Sequence, residues 1–293
     1  MKSFNIPTPQ EFDFELCLDF LKRSPRELLH RCNEVTVRKL IRQGQDTILF
    51  ELSGQRDKMK AKVLNVDATP ETKQAVVRYV GEWFDLKTDL KPFYQLASDD
   101  KLLKDLVVKF YGYRIVGQPD LFESLAWAIL GQQINLTFAY TLKQRFVEQF
   151  GEKLVMRDED YYLFPKPEVV ALLNDSHLLP LQFSRQKSKY VVILAEAFAS
   201  GQVSKDQIKQ LPFEEAKAAL MKIKGIGNWT ANYALMKTFH YPEAFPLEDA
   251  GVHNAIKNLK NMKVKPTLDQ VRRAFKKYKG WEAYATLYLW KSL

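Results

Sequence analysis

The residues richest in chemistry lie between positions 220 and 249. The stretch Leu220-Met221-Lys222-Ile223-Lys224-Gly225-Ile226-Gly227-Asn228-Trp229-Thr230-Ala231-Asn232-Tyr233 closes one helical pattern, turns at Gly-x-Gly and opens another, and Asp249 follows Phe245-Pro246. Glycine has no Cβ to block a sharp turn. Successive backbone N–H groups of Lys224, Gly225, Ile226, Gly227 and Asn228 can therefore point at a phosphate from the positive end of the helix beginning near Trp229. Asn228 is placed to cap that helix, and Lys222 and Lys224 add positive charge. The plainer reading of the same glycines is a helix C-cap followed by a turn that holds no ligand.

Asp249 carries two readings as well. It fits an N-cap ahead of Gly251-Val252 and the Ala255/Ile256 stripe. A carboxylate held near a sugar also stabilises positive charge growing on C1′ as a base departs, or orients the water that attacks there. Glu248 beside it reads as a solvated side chain. Trp229 and Tyr233 are four residues apart and share one helix face. With Trp290 they could be ordinary core, or an aromatic wall for a flipped nucleobase whose cationic, alkylated form gains cation–π attraction.

The chain that must position these groups has 293 residues, enough for two or three packed subdomains. Its net charge of +9 favours a polyanionic partner, because lysine and arginine near phosphates release condensed counterions. Only Cys17 and Cys32 are present, so a four-cysteine metal or iron–sulfur site cannot be built. His30, His177, His240 and His253 are scattered without ligand spacing, and neither a catalytic metal nor a cofactor is expected. No apolar run reaches membrane-span length, and Met1-Lys2-Ser3-Phe4 lacks a leader core. A soluble, cytoplasmic protein with no membrane partner is expected.

A helical pattern over 13–22 stops at Ser24-Pro25. Strand-like segments then span 34–42, 46–53 and 58–66, broken by Gly44 and Gly54-Gln55 in the manner of an antiparallel meander. Thr69-Pro70 reads as an N-cap with proline at the first helical position, and Val76, Val77, Val80, Trp83 and Phe84 make a stripe that should cover the sheet. From Pro92 onward strand signals vanish. Phe122, Leu125, Ala126 and Ile129 form a helix face ending at Gly131, and Asn135 can cap the next helix, to about Gly151. Further helices are expected over 167–173, 185–200, 212–222, 229–239, 251–258, 267–278 and 281–290. The fold class is α+β: an N-terminal antiparallel sheet domain with helices over 1–91, then an all-helical domain over 92–293.

These residues resemble the helix-hairpin-helix DNA glycosylase superfamily, most closely its alkylpurine branch, over nearly the whole chain. Residues 225–233 are similar to the family's hairpin and following helix, and Phe245 through Asp249 to the segment that delivers its essential aspartate. Phe122-Glu123 through Gly131-Gln132 is similar to the helix before its DNA-wedging loop, and Tyr284-Ala285 through Trp290 to its C-terminal helix. The β-rich opening resembles that branch's N-terminal domain. The resemblance implies catalysis by Asp249, a base pocket of Trp229, Tyr233 and Trp290, a wedge at Gln133, and a cleft between two helical subdomains. It implies a monomer on damaged double-stranded DNA, with at most a monovalent cation at the hairpin.

In strand-cutting branches a lysine stands where this chain has Trp229, and its amine attacks C1′. Tryptophan cannot do so, which implies a monofunctional glycosylase that flips out an alkylated purine such as 3-methyladenine, hydrolyses its N-glycosidic bond and leaves an abasic site. The chain departs from its branch at Gln133, where an apolar wedge is usual, and at Glu282-Ala283, in place of Arg-Ser. Two other functions compete: a glycosylase for oxidised, deaminated or mismatched bases, and a non-catalytic damage-binding module in which Asp249 only caps a helix.

Overall fold

The computed structural model describes residues 3–293; Met1 and Lys2, the first residues of the segment read above for a leader, lie outside it. Strands β1 (Phe4–Ile6), β2 (His30–Cys32), β3 (Thr36–Gln43), β4 (Asp46–Gln55) and β5 (Lys58–Val63) form one antiparallel sheet in the order β1-β5-β4-β3-β2. The meander signals located β3 to β5. β1 and β2 have three residues each, too few for alternation to register. Helix α1 (Phe14–Leu21), capped by Asp13, packs on β4. Helix α2 (Pro70–Trp83) also lies on β4, capped by the Thr69 side chain with Pro70 in its first turn.

The rest is helical: α3 (Lys91–Ser98), α4 (Lys104–Lys109), α5 (Leu121–Gly131) and α6 (Leu136–Phe150), then α7 (Pro167–Val170), α8 (Asp175–Leu178) and α9 (Arg185–Ala199). After these come α10 (Lys205–Lys209), α11 (Phe213–Met221), α12 (Asn228–Ala234), α13 (Ala250–Leu259), α14 (Leu268–Phe275) and α15 (Glu282–Lys291). The expected division at 91/92 falls where α3 begins. Every residue of α5 from Leu121 to Leu130 is buried, and α6, α9 and α12 pack around it. This central helix brings Trp127 to the site. Among the described residues no helix is long and apolar enough to cross a membrane.

One expectation fails here. Strands β6 (Lys153–Met156) and β7 (Glu159–Tyr162) form a hairpin inside the helical half. It turns on Arg157 and Asp158, at φ 51° and 62°. That left-handed pair is usually advertised by Asn-Gly or Asp-Gly, and neither occurs here. The hairpin extends the N-terminal sheet's reach, because Tyr161 and Leu163 pack on Leu40 and Leu49, and Arg38 bonds Glu51, Glu159 and Tyr161.

The two halves share one core running from Ile6 to Leu289. Arg114, fully buried, ties them by donating to the carbonyls of Glu11, Asp85 and Thr88, and Tyr284 of α15 donates to the Asp85 carboxylate. A buried guanidinium satisfied by three carbonyls is costly to disturb, so the seam under the site is stiff.

Candidate active site

Asp249 is the N-cap of α13, and its carboxylate accepts three hydrogen bonds. Oδ1 takes the Val252 backbone N–H at 2.9 Å and the Trp290 indole N–H at 2.7 Å, while Oδ2 takes the Trp229 indole N–H at 3.0 Å. A carboxylate offers about four acceptor positions, so roughly one stays free. The group is part-exposed, as are both indoles. Asp249 caps the helix, the plainer of its two sequence readings, and its carboxylate also meets the indoles of Trp229 and Trp290.

Gly251 makes this clasp fit. A Cβ there would lie 2.9 Å from Asp249 Oδ1 and 3.0 Å from Trp290 Cδ1. The glycine two residues after the aspartate was visible in the sequence, but nothing local marked it as the floor under two side chains.

The aromatic set is larger than expected. Trp229 and Tyr233 stack at 5.1 Å between ring centres and 16° between planes. Tyr233 Oη accepts from Trp127 Nε1 at 3.1 Å, and Trp127 lies 4.8 Å from Tyr140, ring centre to ring centre. Burial pushes the Tyr233 phenol up to about 12, so it stays neutral. Trp229, Tyr233 and Trp290 thus belong to one cluster with Trp127 and Tyr140. Trp127 and Tyr140 sit on separate helices with no shared spacing, and the sequence offered only their aromatic type.

The hairpin between α11 and α12 has the expected geometry with altered assignments. Gly225 has φ +97°, which favours glycine, and an added Cβ would meet Tyr190 Cγ at 2.5 Å. Gly227, at φ −93°, has open space where a Cβ would go. Asn228 does not cap α12. Gly227 occupies that position, and Asn228 Nδ2 instead donates to both oxygens of Glu248 at 3.0 Å. Glu248 is exposed as expected, yet it ties the hairpin to the segment carrying Asp249. Lys222 and Lys224 are exposed beside the turn.

Gln133 is exposed on the loop between α5 and α6 with φ 58°, a conformation uncommon outside glycine. Its neighbour Gln132 anchors that loop to the hairpin, donating Nε2 to the Gly225 carbonyl at 3.1 Å and to Thr230 Oγ1 at 3.3 Å. Lys187 of α9 adds bonds to the carbonyls of Ile129 and Gln132. Hairpin and loop therefore form one rigid face. Glu282, part-buried, sits in the first turn of α15, where burial raises its carboxyl above the ordinary range.

Compared with known proteins, residues 126–280 match the family described as the HhH-GPD superfamily of base excision DNA repair proteins, and residues 9–125 match the 8-oxoguanine DNA glycosylase N-terminal domain. A DNA-3-methyladenine glycosylase of Bacillus subtilis (strain 168) is 41% identical over 291 residues, covering 98% of this chain and 96% of that protein. A 3-methyladenine DNA-glycosylase structure from Archaeoglobus fulgidus superposes with a TM-score of 0.84 at 22% identity, over 99% of this chain and 97% of that one. The apo 8-oxoguanine glycosylase/lyase of Clostridium acetobutylicum superposes at 0.78 and 21% identity, over 100% and 97%. These two structural likenesses speak to the fold, an N-terminal sheet domain followed by a helical one.

Proposed function

Because the chain belongs to the HhH-GPD superfamily of base excision DNA repair proteins, we propose that the clasp around Asp249 performs the work of a glycosylase on alkylated purines in duplex DNA. The observation that carries this reading is the two indole donors on Asp249. Capping α13 uses one hydrogen bond, from Val252. The indoles add two more and pin a part-exposed carboxylate against the aromatic set. They hold the negative charge where an oxocarbenium-like sugar would need it, with no reorganisation as the bond breaks.

The steps follow from the face described above. The backbone N–H groups of Lys224 to Asn228, apart from that of Ile226, which donates to the Ile223 carbonyl, grip a phosphate, aided by Lys222 and Lys224. Gln133 fills the gap left by the everted nucleotide, and extrusion costs a few kcal/mol that these contacts offset. The base rests against Trp229, Tyr233 and Trp290. A cationic purine leaves readily, so charge stabilisation by Asp249 can suffice without strong protonation of the base. Water then completes an abasic site. Trp229 has no amine to attack C1′, which supports hydrolysis without strand cleavage. Each of the Ile223 and Gly225 carbonyls accepts one hydrogen bond, from Ile226 N–H and Gln132, and keeps a lone pair that fits a monovalent cation. The proposal includes a cytoplasmic monomer acting on damaged DNA.

The test is release of bases from methylated duplex DNA by wild type and Asp249→Asn. A loss of about 10²–10³-fold is expected, and equal rates would remove the aspartate from the mechanism. Borohydride with abasic DNA should trap no adduct; a trapped one would restore a lyase step. The match of residues 9–125 to an 8-oxoguanine glycosylase N-terminal domain favours a second reading, oxidised purines. A panel of lesion duplexes separates the two.

A further inference from the structure

Past Tyr233 lies a cavity of about 40 Å³, between the sheet domain and the helices that carry the aromatic set. Its lining is strongly cationic, with Arg23, Lys39, Lys143 and Lys237 set against Glu27 and Glu123. Lys143 is committed, at 2.9 Å from Glu27 and 3.7 Å from Glu123. Arg23 is committed along one edge only. Its Nε donates to Tyr140 Oη, and its guanidinium carbon lies 4.0 Å from the Phe20 ring centre and 5.5 Å from that of Tyr140.

No protein acceptor among the described residues meets Arg23 Nη1 or Nη2, and the side chain is open to solvent. Two rings and one hydrogen bond therefore orient a planar fork whose remaining N–H donors are unspent. Lys237 faces the same cavity and meets no hydrogen-bond partner among the described residues, and burial drives its amine well below the ordinary lysine range. Arg23 is joined to the reacting carboxylate by an unbroken aromatic chain, from Tyr140 through Trp127, Tyr233 and Trp229 to Asp249. It is contributed by the N-terminal domain and meets the aromatic set at Tyr140, sharing a cavity with Tyr233.

We infer that Arg23 is a specificity-determining residue, whose free guanidinium fork donates to the edge of the everted base and favours purines with a carbonyl oxygen at C6 over purines with an amino group there. A C6 oxygen accepts such a donor. A C6 amino group sets N–H against N–H and leaves the guanidinium unpaired, which costs affinity. A backbone phosphate is the other acceptor a fork could take, but Arg23 shares its cavity with the buried rings of Tyr140 and Tyr233, surroundings that suit a base edge better than a charged phosphodiester. The inference rests on the glycosylase reading above.

Dimethyl sulfate-treated duplex DNA supplies both classes in one tube, 7-methylguanine with its C6 oxygen and 3-methyladenine with its C6 amino group. Released bases are quantified for wild type, Arg23→Met and Arg23→Lys. The ratio of kcat/KM for 7-methylguanine over 3-methyladenine should fall about tenfold in Arg23→Met and less in Arg23→Lys. An unchanged ratio overturns the inference, whether both rates hold or both fall together as loss of a phosphate contact would make them. If wild type releases neither base, the glycosylase reading fails separately, and quenching of indole fluorescence by the two free bases decides the specificity claim. 7-Methylguanine should then quench at lower concentration than 3-methyladenine in wild type and lose that advantage in Arg23→Met; no advantage in wild type, or an equal one in both, overturns it.

Discussion

The indole N–H of Trp290 lies 2.7 Å from Asp249 Oδ1, joining the end of α15 to the start of α13 through one charge-assisted hydrogen bond. Position 290 therefore aims the carboxylate as well as contributing a ring. Trp290→Phe keeps most of the aromatic surface and removes the donor. Single-turnover base release should slow roughly tenfold, with little change in DNA affinity, in line with loss of one hydrogen bond to a charged group worth about 1.5–3 kcal/mol. An unchanged rate would reduce Trp290 to packing.

Gly251→Ala probes the same clasp from below. The new methyl group would sit 2.9 Å from Asp249 Oδ1, inside normal contact, so either the carboxylate or the Trp290 ring must move. The residue is in the first turn of α13, where alanine is otherwise the better helix former. Thermal melting should therefore change little while base release drops by at least tenfold, since small displacements of a catalytic group are costly. Parallel loss of melting temperature and activity would point to a packing defect instead.

The hairpin glycines should separate by readout. Gly225 needs its positive φ, and a side chain there collides with Tyr190, so Gly225→Ala should lower both melting temperature and DNA affinity. Gly227 has ordinary φ and open space around it, so Gly227→Ala should lower melting only by the small cost of alanine at the N-cap of α12, much less than Gly225→Ala. A methyl group in that space stands where a phosphate would approach, and DNA affinity should fall several-fold with a salt dependence like wild type's. Unaltered affinity in Gly227→Ala would move the phosphate away from this turn.

What could be read in advance followed the range of each signal. Capping and turn chemistry act within four residues, so Thr69-Pro70, Asn135, the Gly-x-Gly bend and Asp249 were all legible as written. The same short range misassigned Asn228, whose amide partner Glu248 stands twenty residues away. Trp127 and Tyr140 were hidden for a similar reason: they meet because α5 and α6 pack, and aromatic type alone does not reveal which rings converge. The β6–β7 hairpin escaped because Arg157 and Asp158 adopt a turn that sequence usually marks with glycine or asparagine. Arg23 belongs to the N-terminal half and reaches the site only through tertiary contact with Tyr140.

Acid should act first on the buried seam beside that site. Burial disfavours the charged form of His30 and lowers it from 6.5 to about 4. The unfolded chain takes up this proton as pH falls below 6.5, and the folded chain resists until about 4. His30 therefore contributes stability that is full above 6.5 and is lost between 6.5 and 4, at most roughly 3 kcal/mol. Burial alone would raise Glu27, but Lys143, 2.9 Å away, with His30, holds it down at about 2 against an ordinary 4.5. Its contribution is present above 4.5 and is lost from 4.5 down to 2. His240 is lowered by burial too, so its stabilisation also fades on acidification. Melting temperature should fall from pH 6.5 to 4 and again below 4.5. His30→Gln should flatten most of the first decline, leave the part owed to His240, and shrink the second without abolishing it, since Glu27 loses the His30 charge but keeps Lys143. A first decline of full size in His30→Gln would show that the imidazole at position 30 is not what acid attacks.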